Sequence, residues 1–86
     1  MLNKYLVEFL GTFFVLFIVI YTGNFLAIGG ALALTIYLGG GNFNPAVSIM
    51  MAVAKKLPKN ELVGLISAQI LGALAAFGLY NIIKTK

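Results

Sequence analysis

A glycine-rich coil that runs into the start of a helix lies at the middle of this chain: Gly39-Gly40-Gly41-Asn42-Phe43-Asn44-Pro45-Ala46-Val47-Ser48. Asn44 is a preferred N-cap residue, because its side-chain oxygen can accept N–H groups of a first helical turn. Pro45 then occupies the first helical position, where its fixed φ suits the helix and its missing N–H is not needed. The pattern predicts a coil over 39–43 and a short helix that begins at Asn44-Pro45.

The composition excludes an ordinary soluble domain. Of the 86 residues, 62% are hydrophobic and only 9% are charged, whereas about 25% are charged in soluble domains. A soluble chain of this length would expose large apolar patches and aggregate. We therefore expect a single domain, residues 1–86, that lies in a lipid bilayer.

The same composition excludes most chemistry. The chain has no cysteine or histidine, and its only acids are Glu8 and Glu61. One chain therefore cannot build a metal cluster, a pair of catalytic carboxylates or a Ser-His-Asp triad. We expect no enzyme and no cofactor. The net charge of +4 comes from lysines at segment ends, which indicates membrane-flanking residues and no nucleic-acid partner.

Three apolar segments, 5–22, 25–38 and 62–83, predict membrane-spanning helices. As helices they rise about 27 Å, about 21 Å and about 33 Å, against a bilayer core of roughly 30 Å. The second segment is short and spans only if its ends are buried in protein. The third carries Ala68, Gly72 and Ala76 at four-residue spacing, a pattern that favours close helix packing. Gln69 beside them is expected to form an interhelical hydrogen bond.

The short helix, 45–54, rises about 15 Å, only half a bilayer. Coil at membrane depth is tolerated only where it is packed in protein or lines a water-filled cavity. Lys55 to Asn60 then return the chain to the aqueous surface, so we expect a re-entrant loop. The alternative is an amphipathic helix on the membrane surface, but Ser48 is the only polar side chain within 45–54.

Glu8 is an ionisable residue in the first third of the first span. Such a group is costly in lipid unless it faces protein or water. The residues alone leave two alternatives, a shallow pair with Lys4 one turn earlier or a buried role inside the protein.

Three stretches together resemble the first half of the aquaporin and glycerol-channel (major intrinsic protein) family. They are the Asn-Pro-Ala box in Phe43–Ser48, the first-helix signature in Glu8–Thr12 and the helix after the half-helix in Ala68–Ala73. The resemblance implies an all-α membrane protein with three transmembrane helices and one re-entrant half-helix, which is half of an inverted repeat completed by oligomerisation. One departure is that Val47 follows the box and the chain has no arginine.

The resemblance also implies roles for named residues. Asn44, Pro45 and Ala46 would form the pore box, with the Asn44 amide as a donor. Glu8 would hold the loop by accepting its N–H groups. The half-helix dipole would repel cations and protons. The carbonyl groups that would form a ladder of acceptors along the pore belong to Gly40, Gly41, Asn42 and Phe43.

One half cannot enclose a pore of this design. The partners expected are a second copy in the inverted orientation, a separate second-half chain, or parallel copies that merely pack together. The leading function is a passive channel for water or small neutral solutes, and the alternative is a non-conducting scaffold. The lysines favour a cytoplasmic N-terminus, with Lys4, Lys55, Lys56 and Lys59 inside and Lys84 and Lys86 outside.

Overall fold

The protein is described by a computed structural model over residues 3–39 and 41–84. Every element in these ranges is helical. Gly40 of the expected carbonyl ladder and Lys86 lie outside the described residues. In chain order the elements are α1 Lys4–Thr22, α2 Phe25–Tyr37, α3 Pro45–Val53, a 3₁₀ turn Lys59–Glu61 and α4 Leu62–Lys84.

Asparagines cap the first two helices. The Asn3 side chain accepts the Leu6 N–H at 2.8 Å at the start of α1. Helix α1 ends at Gly23, whose φ of 58° is left-handed, a conformation that glycine adopts without steric cost. Asn24 then accepts two N–H groups of the first turn of α2. The connection between the two helices therefore needs only two residues.

The short helix α3 has defined caps at both ends. Asn44 Oδ1 accepts the N–H groups of Ala46 and Val47 at 2.7 and 3.2 Å, with Pro45 at the first position. At the other end the Lys56 N–H bonds to the Met51 carbonyl and the Lys55 N–H to the Ala52 carbonyl. This is the Schellman arrangement, and Lys55 takes the left-handed position that glycine usually fills, at φ 63°.

Helices α1 and α4 form the main packed pair. The two helices lie close together at Gly72, where an added Cβ would lie 2.8 Å from the Phe9 carbonyl oxygen and 3.1 Å from the Phe13 nitrogen. A side chain at residue 72 would therefore meet backbone. Ala68, Gln69, Gly72 and Ala76, the residues predicted to pack, are all buried.

Helix α2 contacts the rest of the protein mainly through α1, and Ala31 is its only buried residue. Two of the described helices, Lys4–Thr22 and Lys59–Lys84, are long and apolar enough to cross a membrane. Each has a mean hydropathy of 2.0. Helix α2 has 13 residues and rises about 20 Å. Its large apolar side chains at the two ends, Phe25 and Tyr37, are 78% and 84% exposed.

Candidate pore loop and its buried polar cluster

Glu8 holds the coil that precedes α3. Its carboxylate accepts the Phe43 N–H at 2.5 Å, the Asn42 N–H at 3.3 Å and the Gln69 side-chain amide at 3.0 Å. Only 3% of Glu8 is exposed. One carboxylate therefore joins α1, the coil and α4, and it satisfies backbone donors that a buried coil would otherwise leave unpaired. Lys4 pairs with Glu61 instead, at 2.5 Å.

Ser48 extends this arrangement into α3. Its hydroxyl oxygen accepts the Gln69 amide at 2.7 Å and the Asn42 side-chain amide at 3.2 Å, and Ser48 has no exposed surface. We call Glu8, Asn42, Ser48 and Gln69 the polar cluster. Each of α1, the coil, α3 and α4 contributes one member, so the cluster fixes the position of the coil relative to all three helices.

The sequence pattern did not predict that Ser48 and the Asn42 side chain join this cluster. In the sequence, Ser48 is the only polar side chain within 45–54. A hydroxyl on an otherwise apolar helix needs a hydrogen-bond partner when it is buried. The sequence therefore indicates that Ser48 forms a buried hydrogen bond. Nothing in the sequence, however, identifies Gln69 as that partner.

Phe43 is the point at which the coil turns into the protein. Its φ of 66° is left-handed, which is unusual for a residue with a side chain. The residue is 8% exposed, and its ring packs against Gly11. Burial of the ring and the short bond from its N–H to Glu8 offset the strain of this conformation. At Gly41 an added Cβ would overlap the Glu8 carboxylate, so a side chain there would displace the anchor.

The residues of the expected pore box are more exposed than the Glu8 anchor. Asn44 and Ala46 are exposed, and Pro45 is half-buried. The Asn44 oxygen serves as the cap, and its amide Nδ2 donates to no group within residues 3–39 and 41–84. In the same ranges no donor bonds to the carbonyl oxygens of Gly41, Asn42 and Phe43. Among the described residues, the coil and its cap residue therefore have one side-chain amide and three backbone carbonyls without a hydrogen-bond partner.

The family is decided by comparison with known proteins. A sequence model described as "Major intrinsic protein" matches residues 20–86. The chain belongs to the major intrinsic protein family. The resemblance drawn from its three stretches is therefore confirmed, and the chain is an all-helical integral membrane protein of a family of channels.

Individual family members cover this chain well. It is 41% identical to "Glycerol uptake facilitator protein-like 6" of Lactiplantibacillus plantarum over 87% of its length, and 35% identical to "Aquaporin Z" of Brucella melitensis over 99%. A third relative, "Aquaporin NIP3-1" of Arabidopsis thaliana, is 43% identical over a stretch that covers 55% of this chain and 15% of that relative. No solved structure matches significantly. The chain spans 41% and 46% of the first two relatives' lengths.

Proposed function

We propose that this chain supplies one half of a passive channel for water or small neutral solutes. The observation that carries the proposal is that, within residues 3–39 and 41–84, the Asn44 amide and the carbonyls of the three preceding residues, Gly41, Asn42 and Phe43, have no hydrogen-bond partner. A row of acceptors next to one donor can replace the hydrogen bonds of a permeating water or polyol. The positive end of the α3 dipole lies at the same point and disfavours cations.

A re-entrant path for residues 39–53 is part of the proposal. Glu8 lies about 6 Å along α1 from Lys4, and Gln69 lies about 10 Å along α4 from Leu62. The Lys4–Glu61 ion pair puts both helix starts at one end of the molecule. The coil bonded to Glu8 thus lies one helical turn or more from that end, next to apolar helices, which supports a re-entrant path. The proposal includes a cytoplasmic N-terminus. The lysines at the end of the molecule where α1 and α4 begin support this orientation, because cytoplasmic loops are enriched in lysine.

The enclosing partner is a second family half, either an inverted copy of this chain or a separate second-half chain. The exposed apolar residues of α2 support this, because within the described residues they contact little else. A cysteine added at each terminus and labelled in intact vesicles tests the inverted copy. Both termini would then be labelled from both sides, whereas labelling of each from one side only would leave the separate second half or parallel copies that do not enclose a pore.

Stopped-flow shrinkage of liposomes that carry the purified, folded protein tests the function. We expect water or glycerol permeability above that of empty liposomes. Equal permeability would remove a channel built from copies of this chain alone and would leave a channel that needs a separate second-half chain, or the alternative, a non-conducting scaffold.

An aspartate at the pore box separates these two functions more sharply. Asn44→Asp keeps the capping oxygen and removes the free amide, so a channel should change its permeability or ion leak and a scaffold should not. Asn24→Asp is the matched control, because Asn24 caps α2 in the same way and is also exposed. An equal effect of both variants would contradict a pore role for Asn44.

A further inference from the structure

The turn between α3 and α4 carries uncompensated positive charge. Lys55, Lys56 and Lys59 are exposed. The whole chain has two acidic side chains, and both are engaged: Glu61 pairs with Lys4, and Glu8 is buried in the polar cluster. No side-chain carboxylate is therefore left to neutralise these three lysines, which we call the lysine turn.

The surface on either side of the lysine turn is apolar. Val53, the last residue of α3, is 75% exposed, and Val63 at the start of α4 is 76% exposed. The charges thus lie within a few residues of side chains that a bilayer would cover. The start of α1 lies at the same end of the molecule, because Lys4 forms an ion pair with Glu61. Exposed lysines and exposed apolar residues are therefore neighbours along the chain at this end of the molecule.

We propose that the lysine turn binds the headgroup of an anionic phospholipid. The lysine ammonium groups would donate to the phosphate oxygens, and the lipid chains would cover the apolar residues next to the turn. A lipid fits better than a free phosphate, because only a lipid uses the cationic and the apolar surface together. Each lysine near an anionic membrane surface contributes about a fivefold preference. This inference is independent of whether the chain conducts.

Native mass spectrometry of the full chain, in detergent with equal amounts of phosphatidylglycerol and phosphatidylcholine, tests the proposal. We expect bound phosphatidylglycerol to exceed phosphatidylcholine by about tenfold or more, and the excess to fall with salt. The variant K55Q/K56Q/K59Q should lose most of this preference. Equal binding of the two lipids by the unmodified protein would overturn the proposal.

Two controls distinguish a local lipid site from an effect of net charge and from a site for free phosphate. Lys84→Gln removes a lysine at the opposite end of α4, where its ammonium lies 5.4 Å from the Tyr80 ring centroid, and it should reduce the preference less than Lys56→Gln, which removes one charge of the lysine turn. A loss equal to that of Lys56→Gln would mean that net charge alone is responsible and would overturn the assignment to the turn. Displacement of phosphatidylglycerol by millimolar inorganic phosphate would overturn the choice of a lipid. Circular dichroism verifies that each variant keeps its helices.

Discussion

The ring of Phe43 occupies the space that a side chain at Gly11 would fill. A Cβ built at residue 11 would lie 2.6 Å from Cε1 of that ring and 3.0 Å from the Thr35 methyl carbon. The surface of α1 at Gly11 is therefore in close contact with both the coil and α2. Because Phe43 is also bonded to Glu8 through its N–H, the position of the coil depends on both α1 residues.

Gly11→Ala should destabilise the protein by about 1–3 kcal/mol, because the buried ring cannot move without breaking the bond to Glu8. Unfolding in mixed micelles with an increasing fraction of denaturing detergent measures the change. Gly29→Ala is the control, since nothing lies within 4 Å of a Cβ there, and it should be neutral or stabilising by up to about 1 kcal/mol. Equal effects of the two variants would contradict the packing described.

Glu8→Gln should cost about 2 kcal/mol or more in the same measurement. The carboxylate accepts three N–H groups, whereas an amide would offer one oxygen and turn an N–H₂ group toward another donor. Faster hydrogen exchange at the Asn42 and Phe43 amides is expected as well. Glu61→Gln changes the other acid of the chain, which forms a partly exposed ion pair with Lys4, and should have a much smaller effect. A stable Glu8→Gln protein with unchanged exchange would refute the anchor.

Ser48→Ala should destabilise by about 1–3 kcal/mol, because the Gln69 and Asn42 amides both lose an acceptor. The matched variant is Ser67→Ala, which removes an exposed hydroxyl from α4. Little difference between the two would show that the cluster is not formed around Ser48.

Thr12→Val should leave stability unchanged or raise it by up to about 1 kcal/mol. The Thr12 hydroxyl is fully buried and has no hydrogen-bond partner within the described residues, so valine of the same shape removes an unpaired polar group. Thr35→Val serves for comparison, because the Thr35 hydroxyl bonds to its own helix at Ala31. A clear loss of stability in Thr12→Val would reveal a hydrogen bond that the geometry does not include.

Some of this structure follows from short-range sequence alone. Asn44 was expected to cap a helix that begins at Pro45, and its oxygen accepts the N–H groups of Ala46 and Val47. An N-cap bonds only to N–H groups two or three residues further along the chain, so the local sequence is enough to predict it. The membrane environment follows from composition, because too few polar side chains are present to cover a soluble surface. The family followed from three motifs whose order and spacing are visible in the chain.

Tertiary packing decided the rest. Glu8 could have paired with Lys4 four residues away, yet it bonds to Phe43 and Gln69, which are 35 and 61 residues away. The left-handed backbone of Phe43 contradicts its residue type and is held by contacts that form only when α1, the coil and α4 meet. Sequence spacing sets which groups can interact along one helix. Partners on different helices depend on where packing brings them, and the buried carboxylate bonds to whichever donors the fold leaves without one.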